Sequence, residues 1–330
     1  MDKVFVTGAN GFVGLNIVEC LLSAGYEVHA YVRPNSNTKY LERFPVNIIR
    51  GQLNDEHALR KGMTGCRYVI HTAGNTSCYK SDMPALVETN VKGTESVINA
   101  SKKMPIDRLV FTSTTSTIGA RNQKGFSSTE EHPLDGFRSK SPYARTKLQA
   151  EALVLDAQAT GNIECVILNL AEVVGAYDHN LQWGRLVLAV HHDQVPFIPP
   201  GGGSYCSAKN AAQAHVNALT HGKTGERYII SGEDHDFSTF ISTVSKKMKK
   251  RISVSNSKYH WLKLNASLYE KFPWLYKEKP LVDPYRMRVF GGHYYFSAKK
   301  AQLELGYHSE DLDSMLEDSI GWYRANGYLQ

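Results

Sequence analysis

Residues 4–22 read VFVTGANGFVGLNIVECLL, and this stretch decides the class of fold. The apolar residues at 4–6 predict a short buried strand, and further apolar residues then recur at helical spacing. Between strand and helix lie Gly8, Gly11 and Gly14, spaced as in a turn whose backbone approaches a phosphate. The free N–H groups and the dipole at the start of the helix favour an anion there. The stretch therefore predicts a strand–turn–helix unit that holds the pyrophosphate of a dinucleotide.

Farther along the chain, predicted strands and helices alternate. Apolar runs typical of buried strands occupy residues 27–32, 46–49, 68–71, 108–112 and 165–168. Amphipathic stretches between them predict helices at 56–63, 84–103 and 142–160. Strands that alternate with helices imply βαβ units and a parallel sheet covered on both faces. We therefore predict an α/β fold with a Rossmann-type doubly wound parallel sheet and a smaller C-terminal substrate lobe.

The alternation loosens after about residue 175, which indicates two unequal parts. Residues 1–175 should form a dinucleotide-binding Rossmann domain, and residues 176–330 mainly a substrate-binding lobe over the carboxyl edge of the sheet. The segment at about 205–231 should return to the Rossmann sheet. The remaining expectations for this half are a rigid-then-flexible loop at 196–203, a helix at 210–220, a strand at 228–230, little periodicity at 255–295 and a last helix at about 312–326.

Composition excludes several classes of protein. Of the 330 residues, 42% are hydrophobic and 21% charged, which is typical of a packed globular chain. The net charge is +6, and the basic run at 246–251 is typical of a solvated helix end, so we expect no nucleic-acid partner. The five cysteines form no CxxC pair, so we expect neither disulfides nor a metal site, and a cytoplasmic location. No apolar run approaches the roughly 20 residues of a membrane helix, so we expect no membrane partner.

Four motifs follow the glycine turn in order. They are VIHTAG at 69–74, NVKGT at 90–94, LVFTST at 109–114 and YARTK at 143–147. Together with the TGxxGxxG turn, they resemble the motifs of the extended short-chain dehydrogenase/reductase family. Two later segments, GGG at 201–203 and GWYRANGY at 321–328, are similar to the dihydroflavonol-4-reductase-like branch of the NAD(P)-dependent epimerases and dehydratases. The resemblance implies a nicotinamide-dependent oxidoreductase without fixing a flavonoid substrate.

The resemblance also implies which residues contact the cofactor. They are Gly8, Asn10, Gly11, Phe12, Val13, Gly14, Gln52, Leu53, Thr72, Ala73, Gly74, Thr112, Tyr143, Lys147, Leu170 and Val173. Two positions depart from the family pattern: Gln52 stands where an aspartate is frequent, and Leu170 where a proline is frequent. An amide can still hydrogen-bond adenine, so Gln52 is compatible with binding.

The end of the second predicted strand bears on the choice between NADP and NAD. NAD sites usually place a carboxylate there for the ribose 2′-hydroxyl, whereas NADP sites place a cation. Residues 30–34 read AYVRP, and Arg33 can form a bidentate pair with a 2′-phosphate. Lys39 lies close enough in sequence to assist. We therefore predict NADP(H) as the preferred cofactor, with NAD(H) as the alternative.

The YARTK motif supplies the predicted catalytic pair. Tyr143 and Lys147 are four residues apart on a predicted helix and therefore share one face. An ammonium group near the phenol would lower the phenol pKa, and in the family the tyrosine donates a proton to the carbonyl oxygen during reduction. The register of the fifth strand places Thr114 at the third catalytic position, where its hydroxyl would stabilise the developing oxyanion, and Ser113 is the alternative. For Asn90 we expect structural bracing.

The sequence identifies substrate-contacting residues less clearly than cofactor-contacting ones. Candidate pocket residues are Thr76, Ser77, Thr114, Tyr143, Trp183 and Tyr205. The favoured hypothesis is a carbonyl reductase or alcohol dehydrogenase acting with NADP(H) on a ketone, aldehyde or secondary alcohol. An NAD-dependent nucleotide-sugar epimerase or dehydratase is the alternative, for which Arg185 and Lys209 could serve the diphosphate. A non-catalytic NAD(P)-sensing protein is the third. Relatives frequently form homodimers through the two long helices, which makes a homodimer an option for this chain.

Overall fold

The computed structural model describes residues 1–134, 136, 138–161, 163–252, 256–280 and 282–329. Its strands are β1 (Lys3–Thr7), β2 (Glu27–Val32), β3 (Asn47–Arg50), β4 (Tyr68–His71), β5 (Arg108–Thr114), β6 (Ser127–Ser128), β7 (Glu164–Leu170), β8 (Glu172–Val174), β9 (Gly202–Ser207), β10 (Arg227–Ile230), β11 (Asp234–Asp236) and β12 (His293–Phe296). Its α-helices are α1 (Phe12–Ser23), α2 (Glu56–Gly62), α3 (Met83–Leu86), α4 (Gly93–Ser101), α5 (Pro142–Ala159), α6 (Gly184–His191), α7 (Ala208–Ala218), α8 (Phe237–Met248), α9 (Asn256–Lys271), α10 (Pro284–Val289), α11 (Lys299–Leu305) and α12 (Leu312–Ala325).

The larger sheet is parallel throughout and has seven strands in the order β10-β7-β5-β4-β1-β2-β3. The chain winds outward from β1 in one direction and from β4 in the other. Outside the carboxyl ends of these two strands the fold therefore leaves a crevice, which is where ligands bind in doubly wound sheets. The predicted Rossmann-type α/β fold is confirmed.

Helices cover both faces of this sheet. On one face, apolar residues of α1 and α7 pack on the strands, and on the other, those of α2, α4 and α5 do so. The strands are apolar on both sides because neither face meets water; in β1, for example, residues 4–7 are all buried. Both β10 and α7 come from the segment predicted to return to the sheet, so the larger sheet draws its last strand from the second half of the chain.

The helix predicted at 84–103 is built in three consecutive parts. Helix α3 passes into a wide π-helical stretch at Val87–Lys92, and α4 continues from it. The π-helical stretch contains Asn90, whose side chain makes hydrogen bonds to two neighbouring segments described below. Single turns of π-helix often occur at functional sites, where they re-aim one side chain.

A second sheet organises the C-terminal lobe. Its strand order is β11-β9-β12-β6, with β8 paired to β9. The predicted loop at 196–203 is wrong at its end, because Gly202 and Gly203 belong to β9 and pair with both β11 and β12. The glycines serve close backbone packing: a Cβ on Gly201 would lie 2.0 Å from the carbonyl oxygen of Gly292.

The expectation of little periodicity at 255–295 is also wrong for the described part of that range, which excludes Ser255 and Leu281. Helices α9 and α10 and strand β12 lie there. Helix α9 escaped detection because apolar residues occupy two of its faces, which blurs the periodic signal. Among the described residues, no helix is both long and apolar enough to cross a membrane.

Candidate active site

The glycine turn forms a tight cradle at the carboxyl end of β1. Gly8 has a φ of +69°, and a Cβ there would lie 2.7 Å from the backbone nitrogen of Ala73. A Cβ on Gly14 would lie 2.1 Å from the carbonyl oxygen of Gly8. Helix α1 begins after Gly11, which brings no capping side chain, so its first N–H groups lack partners within the helix. The glycines therefore allow close backbone packing at the start of α1, whose free N–H donors are suited to an anion.

The loop after β2 lies beside this cradle. The amide of Asn10 donates to the carbonyl of Asn37 at 3.2 Å, which ties the loop to the glycine turn. Arg50 fixes the loop by donating hydrogen bonds to the backbone carbonyls of Pro34 and Ser36. Arg33 is exposed, and its guanidinium has no hydrogen bond or ion pair to the described residues. An ordered loop thus presents a free cation at the end of β2.

A loop at residues 177–184 reaches the cradle from the lobe. The buried carboxyl group of Asp178 accepts from the backbone N–H groups of residues 182, 183 and 184 at 2.8 to 2.9 Å and from the Tyr323 hydroxyl at 2.9 Å. Tyr177 and Leu181, on either side, have φ values of +67° and +55°. This fixed loop brings His179 within 3.0 Å of the Asn10 carbonyl. Sequence analysis missed His179, because no motif marks a residue that reaches the glycine turn from the other half of the chain.

Lys147 is buried beneath the crevice, with 4% of its surface exposed. Its ammonium donates to the carbonyl of Thr112 at 2.8 Å and lies 4.0 Å from the centre of the Phe111 ring. Burial lowers the pKa of Lys147 to about 7, although the nearby Glu151 carboxyl opposes the change. The hydroxyl of Thr112 points elsewhere and bonds to His215 at 2.8 Å. In the protein alone, Thr112 therefore holds Lys147 through its backbone.

Tyr143 lies on the same face of α5 and is partly exposed to the crevice. Burial raises the pKa of its phenol, as does the thiol of Cys78, while a hydrogen bond with the Thr114 hydroxyl opposes the rise. Lys147 does not lower the pKa of this phenol in the protein alone, and its ammonium donates to the Thr112 carbonyl. The phenol therefore stays protonated at neutral pH.

Thr114 and Ser113 face opposite ways, because successive residues of a strand do. The Thr114 hydroxyl is on the side of the Tyr143 phenol and opposes the rise in its pKa. Ser113 is 4% exposed and donates to the buried carboxyl group of Glu151. The same carboxyl oxygen accepts from Thr117 at 2.7 Å and from Asn169 at 2.8 Å. Of the two candidate hydroxyls, the structure brings only Thr114 to the tyrosine.

A second polar network braces the floor of the crevice. Asn90 exchanges two hydrogen bonds with the backbone of Asn75, at 2.8 and 2.9 Å, and donates to Thr146 on α5 at 3.0 Å. Deeper, His71 bonds to Thr7 at 2.6 Å and to Thr94 at 3.0 Å, and burial lowers its pKa to about 3. The expected bracing role of Asn90 agrees with these contacts, which join the loop after β4 to the helix that carries Tyr143.

A cavity of about 330 Å³ lies between the loop after β4 and the C-terminal lobe, and it reaches Pro142, the residue before Tyr143. Its walls include Cys78 and Tyr79 after β4, Pro142 at the start of α5, and residues of α9 and α10. Contacts between the β4 loop and the lobe hold the walls together: Tyr79 donates to the carbonyl of Pro280 at 2.7 Å, and Lys279 pairs with Asp82 at 2.6 Å. Residues from both parts of the protein therefore enclose this cavity.

The part of the chain that matches a known family is the part that forms the larger sheet. Residues 4–231 match the model of the NAD dependent epimerase/dehydratase family. The chain belongs to this family. It is therefore an oxidoreductase of the extended short-chain dehydrogenase/reductase type, and a nicotinamide cofactor suits the glycine cradle.

Individual relatives span the full chain. A Synechocystis protein with a provisional dihydroflavonol 4-reductase name is 30% identical, over 100% of this chain and 96% of its own. The 4-hydroxy-2-methyl-3-oxo-4-farnesyl-3,4-dihydroquinoline-1-oxide ketoreductase of Stigmatella aurantiaca is 28% identical over 95% of each. The crystal structure of gox2253 superposes with a TM-score of 0.85 at 25% identity and covers 100% of both chains.

The remaining predicted cofactor residues differ in how far they are exposed to solvent. Phe12 and Leu170 are buried, Val13, Thr72, Ala73 and Val173 are half-buried, and Gln52, Gly74 and Lys39 are exposed. Leu53 packs against the helix that follows the π-helical stretch, since a Cβ on Gly93 would lie 2.4 Å from it. These positions are compatible with cofactor contact, which for each residue stays a prediction.

The predicted substrate residues differ in whether their positions would allow contact with a substrate. Thr76 is exposed, and Ser77 donates to Asp82 at 2.6 Å near the cavity wall. Tyr205 has no exposed surface: its ring stacks on Phe240 with centroids 4.9 Å apart, and Trp183 packs against its edge. A substrate contact by Tyr205 does not fit this position, because large aromatic clusters form cores more often than pocket walls.

Two charged residues near Tyr143 were not predicted. Glu172, at the start of β8, is exposed, and its charge acts on the Tyr143 phenol. Arg286 on α10 is 52% exposed, its Nε lies 3.5 Å from Asp283, and its charge acts on both Glu172 and the Tyr143 phenol. No motif could have identified Arg286, because it reaches Tyr143 only through the fold of the lobe. Among the described residues, no cluster of His, Cys, Asp and Glu side chains could hold a metal ion.

Proposed function

We propose that this protein is an NADP(H)-dependent carbonyl reductase or alcohol dehydrogenase that acts on a ketone, aldehyde or secondary alcohol. The observation that carries the proposal is the pair formed by the Tyr143 phenol and the Thr114 hydroxyl, with the buried Lys147 one helical turn away. Two adjacent hydroxyl donors in a partly dry crevice are suited to hold and protonate one carbonyl oxygen.

The residues divide the work as follows. Thr114 donates a hydrogen bond to the substrate oxygen, where negative charge develops. Tyr143 gives up its proton to the same oxygen, and its raised pKa keeps that proton available at neutral pH. A bound nicotinamide supplies the hydride. Lys147 would hold the nicotinamide ribose and, once its bond to the Thr112 carbonyl is exchanged, would stabilise the phenolate left on Tyr143.

The cofactor preference rests on Arg33. The free guanidinium at the end of β2, on a loop held by Arg50, is suited to a 2′-phosphate. The glycine turn would hold the pyrophosphate, because its glycines let the backbone pack closely and the first N–H groups of α1 lack partners within the helix. Arg33 supports NADP(H) over NAD(H), whereas the glycine turn supports either dinucleotide.

A carbonyl compound without a diphosphate is favoured over a nucleotide sugar. The cavity walls include the cations Lys80 and Arg288, but Glu270 pairs with both, at 2.8 and 3.1 Å. A diphosphate would have to compete with this carboxyl group. The aromatic and proline side chains of the same walls suit an apolar substrate. The names of the two relatives described above, both reductases, agree with this choice.

The first test is titration of the purified protein with NADPH and with NADH, followed by cofactor fluorescence. We expect a clear preference for NADPH that Arg33→Ala removes, with an affinity loss of roughly 10- to 150-fold for one charge-assisted contact. Arg43→Ala is the matched control, since this guanidinium lies over the Tyr40 ring and donates to Asn326.

A screen of ketones and aldehydes with NADPH should then find a substrate whose reduction Tyr143→Phe abolishes. Equal affinity for NADH, or NAD that co-purifies and does not exchange, would instead favour a nucleotide-sugar epimerase.

A further inference from the structure

Large apolar side chains are exposed in one short segment of the lobe. Trp261, Leu264 and Leu268 on α9 are 64%, 59% and 42% exposed, and Trp274 and Leu275 in the turn that follows are 74% and 70% exposed. Phe272, between them, is 41% exposed. Outside residues 261–275, the described residues have only Met1 and Leu303 in this condition. A contiguous apolar surface of this kind marks an interaction site more often than chance exposure.

Trp261, Leu264 and Leu268 share one face of α9, and Phe272, Trp274 and Leu275 follow the helix; we call these six exposed side chains the outer face of residues 261–275. At 100° per residue, Trp261, Leu264 and Leu268 fall within about 60° of the helix circumference. The opposite side of the helix is the packed one: Tyr259 and Ala266 are buried against Phe197 and Met287. The packing of the lobe therefore does not depend on the outer face, which has no packing partner among the described residues.

The surroundings of the outer face are positively charged. Residues 256–280 contain five lysines and two glutamates, a net charge of +3. Lys258, Lys263, Lys271 and Lys277 are exposed. Of the two glutamates, Glu270 is already paired with Lys80 and Arg288. Exposed tryptophan and leucine side chains among lysines match the interfacial region of a bilayer that contains anionic lipids.

The outer face is also next to the cavity of about 330 Å³ that reaches Cys78 and Pro142. The cavity wall includes Tyr269 and Glu270, which follow Leu268 on α9, and Pro273, which precedes Trp274. At its other end the same cavity reaches Cys78 and Pro142. A surface that contacts these exposed side chains would therefore lie beside an opening that leads toward Tyr143.

We propose that the outer face of residues 261–275 binds peripherally to the surface of an anionic lipid bilayer. The tryptophan and leucine side chains enter the boundary between headgroups and acyl chains, and the lysines contact the lipid phosphates. A second copy of the chain fits the face less well, because a symmetric contact would bring the two sets of lysines together. Sequence analysis expected no membrane partner because it searched only for segments long enough to span a bilayer.

The test uses the full-length protein and vesicles of phosphatidylcholine, with and without about one third phosphatidylglycerol. Sedimentation should recover the protein with the anionic vesicles, and the emission of Trp261 and Trp274 should shift to the blue as they leave water. Raising the salt from about 0.05 to 0.5 M should weaken binding several-fold, since the lysine contacts are screened. The measurement needs neither cofactor nor substrate, so it is independent of the proposed reductase activity.

Matched variants locate the contact. Replacing both Trp274 and Leu275 by serine should weaken binding about tenfold or more, because two exposed apolar side chains are lost. Leu303→Ser removes a side chain that is 76% exposed on α11 and should leave binding unchanged. Lys263→Glu should weaken binding to anionic vesicles, whereas Lys299→Glu, exposed on α11, should not.

Three results would overturn the proposal. They are an absence of binding to anionic vesicles, equal losses in the Leu303→Ser variant and in the doubly substituted one, and a concentration-dependent dimer in light scattering that the double substitution dissociates. An unchanged thermal transition in the double variant shows that a loss of binding is not a loss of folding, since both residues are solvent-exposed.

Discussion

Substitution of the two neighbouring hydroxyls at the end of β5 should have opposite effects. Thr114→Val removes the hydroxyl that faces Tyr143 and should reduce catalysis with little change in stability. Ser113→Ala removes a donor to the buried carboxyl group of Glu151 and should reduce stability with little change in catalysis. The prediction depends on the alternation of side chains along one strand and on no other property of the site.

The expected magnitudes come from the contacts of each hydroxyl. Loss of one donor to a developing oxyanion reduces kcat by about 10²- to 10³-fold. Among the described residues, the Thr114 hydroxyl otherwise makes only local bonds to Ser116, at 3.2 and 3.3 Å, so its loss should cost below about 1 kcal/mol of stability. Glu151 keeps its contacts with Thr117 and Asn169 when Ser113 is replaced, which suggests a cost of about 1 to 3 kcal/mol.

The assay pairs NADPH-dependent reduction of the carbonyl substrate found by screening with unfolding in urea. Thr114→Ser is the control, because it returns the hydroxyl and should recover most of the activity. The opposite pattern, with an inactive but stable Ser113→Ala protein and an active Thr114→Val protein, would refute the assignment of the two hydroxyls.

Three further perturbations test other parts of the structure. Gly14→Ala places a Cβ 2.1 Å from a backbone carbonyl of the glycine turn and should abolish cofactor binding in a titration, whereas Gly321→Ala, a helical glycine with open space around it, should not. Burial lowers the pKa of His71 to about 3 and of His215 to about 4, so between pH 6.5 and 4 the unfolded chain binds protons that the folded one does not. Stability should therefore fall on acidification, by about 2 kcal/mol per histidine at pH 5, and equal urea midpoints at pH 7.5 and pH 5 would contradict this. Asp178→Ala removes the acceptor of three backbone N–H groups, of which that of Gly184 is buried, and should lower the thermal transition and weaken cofactor binding together; a change in only one of them would disconnect the 177–184 loop from the glycine turn.

The first half of the fold was predictable because its signals are local. The glycine turn, the apolar strands and the long helix at 142–160 each show their pattern within a short window, and helix α5 begins at the predicted residue, Pro142. Helix α1 was recognised in the same way from its glycines and apolar spacing. The ordered family motifs added the expectation that Tyr143 and Thr114 lie together, which agrees with the structure.

The lobe was less predictable because its structure depends on contacts between distant segments. Strand β9 contains glycines that would suggest a loop, and it forms because β11 and β12 pair with it on both sides. His179 and Arg286 reach the crevice only after the lobe has folded, so local sequence carries no sign of them. The sequence also could not predict the pKa of Tyr143, because the bond between Lys147 and the Thr112 carbonyl is seen only in the folded protein.

The position of β10 at one end of the large sheet affects how the chain can fold during translation. Its residues, Arg227–Ile230, leave the ribosome only after about two thirds of the 330 residues have been made. Until then the unpaired edge belongs to β7, in which six consecutive residues are buried in the finished protein. A free, apolar strand edge is a template for pairing with other chains. Nascent chains stalled before residue 227 should therefore aggregate or occupy chaperones, whereas chains extended past residue 230 can close the edge with their own strand.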